Sequence, residues 1–79
     1  MNNNEEKEEK EEFTIAKLRR TIGLTQWQLA EKLGISSQSV ASWEVKRYKP
    51  SPKHTRLLIE FLMANNVDKN LIIKTILKM

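Results

Sequence analysis

One predicted helix face carries only small or hydrogen-bonding side chains. Ser37, Gln38, Ala41 and Ser42 occupy helical positions i, i+1, i+4 and i+5, which lie on one side of an α-helix. A face built only for a core would carry large apolar residues, and a solvated face would usually carry Lys and Glu. The Gln amide can pair with adenine, and the Ser hydroxyl both donates and accepts hydrogen bonds. This face therefore suits the base edges in the major groove of DNA.

The opposite side of the same segment is apolar and indicates how the face is held. Val40 and Trp43 lie three residues apart and are expected to point inwards, and Ser36 can cap the helix. A preceding helix is predicted to begin at Thr25, because Gln28 three residues later completes a capping box.

The first of these two helices has its own apolar stripe and an identifiable end. Leu29, Ala30 and Leu33 fall on one face at helical spacing. Gly34 follows where a chain needs a positive φ to leave a helix, and Ile35 can fill the junction. The stretch therefore predicts two short helices joined by a tight turn.

This stretch closely resembles the helix-turn-helix of phage repressors and Cro, the xenobiotic-response-element type of bacterial regulator. Members begin the motif with a Gln, as at Gln26, and place an Ala in the first helix where the second crosses closely, as at Ala30. They have Gly at the turn, as at Gly34. They often end the second helix with an aromatic residue and Glu, as at Trp43 and Glu44. The resemblance extends from about Ile15 to Leu62, which is most of the chain.

The resemblance implies an all-α fold, a compact five-helix lambda-repressor-like bundle whose helices 2 and 3 form the helix-turn-helix. It implies a non-enzymatic, sequence-specific regulator that binds double-stranded DNA and acts as a repressor in the cytoplasm. The residues expected to read bases are Ser37, Gln38, Ala41 and Ser42. The residues expected to bind phosphate are Arg19, Thr25, Gln26, Ser39, Lys46, Arg47 and Lys49.

Two of these expectations depend on family features. An Arg at the position of Arg19 often pairs with the Glu that ends the recognition helix, so Arg19 and Glu44 are expected to form a salt bridge. The alternative is an ordinary pair of surface charges.

Family members commonly have a Gly near Lys46, and its absence here leaves the loop conformation open. The loop sequence KRYK is expected to contact phosphate, with a merely solvated loop as the alternative.

Trp27 departs from the polar residue usual at its position, and so early in a helix it should be at least half exposed. It can shelter Leu24, which we favour, cover the sugar–phosphate backbone, or pack on the N-terminal arm.

Composition limits the remaining possibilities. The 79 residues include no Cys and one His, His54, so no thiolate site and no evident zinc site is available. The sequence contains no acid–base pair, nucleophile set or phosphate loop of an enzyme. No cofactor, small-molecule effector, signal peptide or membrane span is evident. An antitoxin-like or adaptor module that binds a protein partner is the alternative function on this fold.

The charge is divided unevenly along the chain. Residues 1–12 hold six Glu and two Lys, whereas residues 13–79 hold twelve Lys or Arg and four acids, a net charge of +8. The basic part, which we assign as the helix-turn-helix domain, suits a polyanionic partner. The first twelve residues are predicted to be a disordered acidic arm, which either improves solubility, extends helix 1 backwards, or competes with DNA.

Three further helices complete the predicted bundle. Helix 1 is expected over residues 13–22, with an apolar stripe and a stop at Gly23. Helix 4 is expected to start at Ser51 and Pro52 and to end near residues 65–66, and Asp68 is expected to cap the last helix.

The last helix has more apolar residues than one buried face needs. Its large aliphatic side chains, which cover roughly 240° of the helix, are Leu71, Ile72, Ile73, Ile76 and Leu77. We therefore expect a second burial surface and a weak homodimer through this helix, with the contact at Ile72, Ile73, Ile76 and Leu77. The alternative is that N-terminal residues such as Phe13 cover the surplus within one chain.

Overall fold

The computed structural model describes residues 14–77, which form five α-helices and confirm the expected all-α bundle. The helices are α1 (Ile15–Thr21), α2 (Gln26–Leu33), α3 (Ser37–Glu44), α4 (Pro52–Ala64) and α5 (Lys69–Ile76). The predicted acidic arm and Phe13 lie outside the described residues. Among residues 14–77, no helix has the length and apolar content needed to cross a bilayer.

Each of the five helices in residues 14–77 starts at a side chain that accepts a backbone amide hydrogen bond. These N-cap residues are Thr14, Thr25, Ser36, Ser51 and Asp68. The capping box predicted at Thr25 is confirmed, with reciprocal bonds to Gln28 of 3.0 and 2.9 Å. Helix α1 begins two residues later than predicted, because Thr14 is extended and accepts the amide of Lys17. The helix therefore does not continue backwards through Thr14.

Four helices end in the same left-handed turn. The left-handed residues are Gly23, Gly34, Lys46 and Asn66, with φ between 63° and 75°. In each turn this residue donates its amide to the carbonyl three residues back, and the next residue donates to the carbonyl five residues back. Both bonds satisfy carbonyl groups that the end of a helix leaves unpaired. The loop after α3 therefore keeps the glycine-type turn although Lys46 replaces the glycine.

Replacing Lys46 with Gly should raise the free energy of unfolding by about 1 kcal/mol, because an L-residue is strained at this φ. Lys46→Ala is the matched control, since it removes the same side chain and keeps the strain. Urea denaturation of both variants measures the difference. Equal stability of the Gly and Ala variants would show that the turn carries no strain.

The core lies where α1 and α4 pack against the α2–α3 pair. Helix α2 packs on α3 and α4, α1 packs on α2 and α3, and α5 packs on α4. The deepest side chains come from three different helices and are Leu29, Val40, Leu58 and Leu62. Trp43 is also buried and contacts His54, with ring centroids 6.0 Å apart, so the start of α4 lies against the end of α3. This packing fixes the orientation of α3, whose other side remains at the surface.

Two residues predicted to lie in a dimer interface are instead part of this core. Ile72 and Ile76 are 2% and 5% exposed within a single chain, so their placement on an intermolecular surface was wrong. Helical periodicity identifies the apolar residues, but it does not show how deeply they are buried when α5 packs against α4. Of the surplus apolar residues on α5, only Ile73 and Leu77 are exposed, so the apolar surface available for a contact is smaller than predicted.

Candidate nucleic-acid interface

The surface of α3 that faces away from the core carries the predicted base-reading residues. Gln38 is exposed, and Ser37, Ala41 and Ser42 are partly exposed. Val40, between them in sequence, is fully buried. Gln38 is the longest side chain on this face and is able to make two hydrogen bonds to one base.

The N-terminal end of α3 is held by serines. Ser36 Oγ accepts the amide of Ser39 at 3.2 Å, and the two hydroxyl oxygens lie 3.1 Å apart. Ser39 is partly exposed, and its predicted contact with phosphate stays a prediction. These bonds fix the first turn of α3, which carries Ser37 and Gln38.

The opposite end of α3 is held by a hydrogen-bonded network around Glu44. Arg19 donates from Nε to Glu44 Oε2 at 2.7 Å and from Nη2 to Oε1 at 3.1 Å, which confirms the predicted salt bridge. Arg19 Nη1 donates to the carbonyl of Leu24 at 2.9 Å. Gln26 Nε2 also donates to Glu44 Oε1, at 2.8 Å. The network therefore links α1, the α1–α2 turn, α2 and α3.

Both charged members of the network are largely shielded from solvent. The side chains of Arg19 and Glu44 are 10% and 7% exposed. Burial raises the pKa of Glu44, but hydrogen bonds from Arg19 and Gln26, with the positive charges of Arg19 and Arg20, outweigh burial and hold that pKa below its usual range. The hydrogen bond to Glu44 raises the pKa of Arg19. Both groups are therefore charged at neutral pH.

The N-terminus of α2 lies beside this network. The backbone N–H groups of Gln26 and Trp27 belong to the first turn of the helix, where no intrahelical acceptor exists. They lie at the positive end of the helix dipole, which favours anions. Trp27 is 63% exposed, which confirms the expected exposure of at least half.

The loop after α3 provides a second group of cations. Lys46, Arg47 and Lys49 are exposed, as is Tyr48 between them. The left-handed turn ties this loop to α3, because Arg47 N donates to the carbonyl of Ser42 at 2.9 Å. The loop side chains are therefore attached to the helix that carries the predicted base-reading residues.

The predicted phosphate contacts fall into groups of different character. Thr25 and Gln26 cluster at the start of α2, and the three loop cations lie beyond the end of α3. Arg19 is only 9% exposed and donates from three nitrogens within the domain, so little of it remains for a phosphate. Sequence reasoning missed the bond from Gln26 to Glu44. The family pattern pointed to each residue separately and gave no signal that links them.

These helices and this surface define a helix-turn-helix domain formed by α2 and α3. A family model described as helix-turn-helix matches residues 15–62, from the start of α1 to near the end of α4. The chain therefore belongs to the Cro/C1-type helix-turn-helix family and carries a DNA-binding domain of this non-enzymatic class. No curated protein and no solved structure matches the chain. Within residues 14–77 no group of side chains is arranged to hold a metal ion.

Proposed function

We propose that this protein is a sequence-specific transcriptional regulator that reads the major groove of double-stranded DNA with α3. The observation that carries the proposal is the exposed Gln38 on a face of small polar residues. That face is presented by a helix fixed at both ends, by the Ser36 cap and by the Glu44 network. A rigid helix with short hydrogen-bonding side chains fits against base edges without first having to become ordered.

In the proposed complex, different residues supply specificity and affinity. Gln38 pairs with an adenine, Ser37 and Ser42 hydrogen-bond to neighbouring bases, and Ala41 packs against a thymine methyl group. Phosphate contacts set the register of α3 in the groove. The residues proposed for this role are Thr25, Gln26, Ser39, Lys46, Arg47 and Lys49, whereas the buried Arg19 holds α3 in place through Glu44.

The positive charge of the domain supports a polyanionic partner. Residues 13–79 carry a net charge of +8, and the loop cations are exposed beside α3. Helix α5 packs on α4 and leaves Gln38 and the loop uncovered within the described residues. This exposure favours DNA over the antitoxin-like or adaptor alternative, in which a further segment or a protein partner covers the surface.

Selection of binding sites from random duplex DNA tests the proposal directly. A recovered consensus supports sequence-specific binding, whereas recovery of unrelated sequences contradicts it. We propose that the protein acts in the cytoplasm as a repressor by occupying a promoter. This role is tested by placing the recovered site across a promoter and measuring transcription with and without the protein.

Replacing Gln38 with Ala should weaken binding to the recovered site by about 1–3 kcal/mol and change binding to random DNA little, because the side chain is proposed to contact a base. Fluorescence anisotropy with both duplexes measures the two affinities. Arg47→Ala is the contrasting variant and should weaken both complexes equally, with a smaller salt dependence. Equal losses on the two duplexes for Gln38→Ala would show that Gln38 does not read bases.

We also propose that two copies bind one site. A single recognition helix covers few base pairs, and dimers of this architecture bind half-sites one helical turn apart, 10–10.5 bp from centre to centre. The exposed Ile73 and Leu77 on α5 are the candidates for the contact between copies. Two side chains provide a small apolar area, which is consistent with a dimer that is weak in solution and tightens on DNA.

A further inference from the structure

Trp27 is the one aromatic side chain in the first turn of α2, and its exposure is unexplained by the core. Its side chain is 63% exposed, whereas Trp43 is 4% exposed. Trp27 precedes the buried Ala30 by one helical turn, so its ring lies at the edge of the face that α2 turns towards the domain. The fold leaves most of this ring in contact with solvent, where it gains little stabilisation from burial.

The surroundings of Trp27 are defined by the network at Glu44. Nε2 of Gln26, the preceding residue, donates to Oε1 of Glu44 at 2.8 Å, so the start of α2 lies beside the end of α3. Arg20, which is exposed, lies close enough for its charge to act on Glu44. The chain that leaves α3 then carries the exposed Arg47. Trp27 therefore belongs to the helical turn that lies beside the end of α3, the helix proposed to read DNA.

We propose that Trp27 lies against the deoxyribose–phosphate backbone of DNA, beside the phosphate bound at the N-terminus of α2. This inference rests on the proposed function and selects, of the three roles considered for Trp27, contact with the sugar–phosphate backbone instead of shelter of Leu24 or packing on the N-terminal arm. The indole ring covers the apolar edge of a deoxyribose, and its Nε1–H can donate to a phosphate oxygen. The contact adds affinity that does not depend on base sequence and involves no charge.

The neighbouring contacts favour DNA as the occupant over a second copy of this chain. A phosphate backbone is attracted by the backbone amides in the first turn of α2, which lie at the positive end of the helix dipole. The Trp27 ring is also continuous with the proposed contact of Gln26, since the two residues are neighbours in the same helical turn.

Replacing Trp27 with Ala should lower affinity by about five- to tenfold on both the selected and the random duplex, because the lost contact is apolar and not base-specific. The slope of log affinity against log salt should stay unchanged, because no charge is removed. Met63→Ala is the matched control, since Met63 is 50% exposed near the end of α4, and it should bind as the wild type does. Circular dichroism checks that both variants are folded.

Trp27→Lys separates a DNA contact from a structural role. A lysine beside the backbone should restore affinity at low salt and increase the salt slope by about one, because it adds one phosphate contact. Acrylamide should quench Trp27 but not Trp43 in the free protein, and random duplex DNA should protect Trp27. A Lys variant that binds no better than the Ala variant, or a ring that stays quenchable on DNA, overturns the inference.

The experiments distinguish failure of the inference about Trp27 from failure of the proposed function. If Trp27→Ala binds as the wild type does while Gln38→Ala and Arg47→Ala are weakened, α3 still reads DNA and the inference about Trp27 is wrong. If Trp27→Ala changes sedimentation instead of DNA affinity, the ring contacts a second copy and the inference is again wrong. If the wild type fails to bind any duplex, the proposed function itself fails.

Discussion

Replacing Glu44 with Ala should lower the free energy of unfolding by about 3 kcal/mol. The substitution leaves the guanidinium of Arg19 without its carboxylate partner in a site where the side chain is only 10% exposed. It also removes the acceptor of the Gln26 amide. A domain of this size has a total stability of about 5–10 kcal/mol, so the loss should be obvious in urea denaturation and in thermal melts.

A double variant distinguishes the ion pair from general loss of packing. Replacing both Arg19 and Glu44 with Met should cost clearly less than the sum of the two single replacements, because no unpaired charge then remains. If Glu44→Ala lowers stability by less than about 0.5 kcal/mol, as for an exposed pair, the network does not hold the helices together.

The same network gives the domain a defined response to acid. Because the pKa of Glu44 is lower in the folded state, its stabilising effect is fully present above the unfolded glutamate pKa of about 4.3. The effect is lost as pH falls through the lowered folded pKa. The difference in stability between wild type and Glu44→Gln should therefore be largest near pH 7 and should shrink below about pH 4.

Local signals made most of the helix boundaries predictable from the sequence. A side-chain cap depends only on a few neighbouring residues, so Thr25, Ser36, Ser51 and Asp68 could each be recognised without knowing the fold. The Arg19–Glu44 pair joins residues 25 positions apart and became predictable only through the family resemblance. A cap can therefore be predicted from residues close in the sequence, whereas a pair of residues far apart in the sequence could not be predicted without the family resemblance.

Three features could not be predicted from the sequence, for physical reasons. The bond from Gln26 to Glu44 depends on how closely α2 and α3 cross, which neither helix determines alone. The left-handed turn at Lys46 was left open because residue type argues against it, yet its two backbone bonds and the packing of α3 impose it. The depth of Ile76 depends on the position of α5 against α4, and periodicity does not report depth.

Replacing Ile76 with Glu should unfold the domain or leave it barely stable. Ile76 is 5% exposed and packs in the core with Ile72 and other buried residues. A carboxylate there has no described partner, and burying an unpaired charge costs several kcal/mol, which is most of the stability of a small domain. Loss of the helical circular dichroism signal and of a cooperative melt measures this effect. A folded Ile76→Glu variant would mean that residue 76 reaches solvent and that α5 is not fixed against α4.

Replacing Leu77 with Glu is the matched experiment on the adjacent residue, where the side chain is 62% exposed. The variant should remain folded, because its carboxylate stays in water and no core contact is lost. It should instead weaken the proposed dimer, since two copies would bring the new charges together across the α5 contact. Sedimentation of wild type and variant, free and on a duplex with two half-sites 10–10.5 bp apart, measures the assembly. A wild type that binds this duplex only as a monomer contradicts the dimer. A Leu77→Glu variant that dimerises as well as the wild type places the contact on another surface than α5.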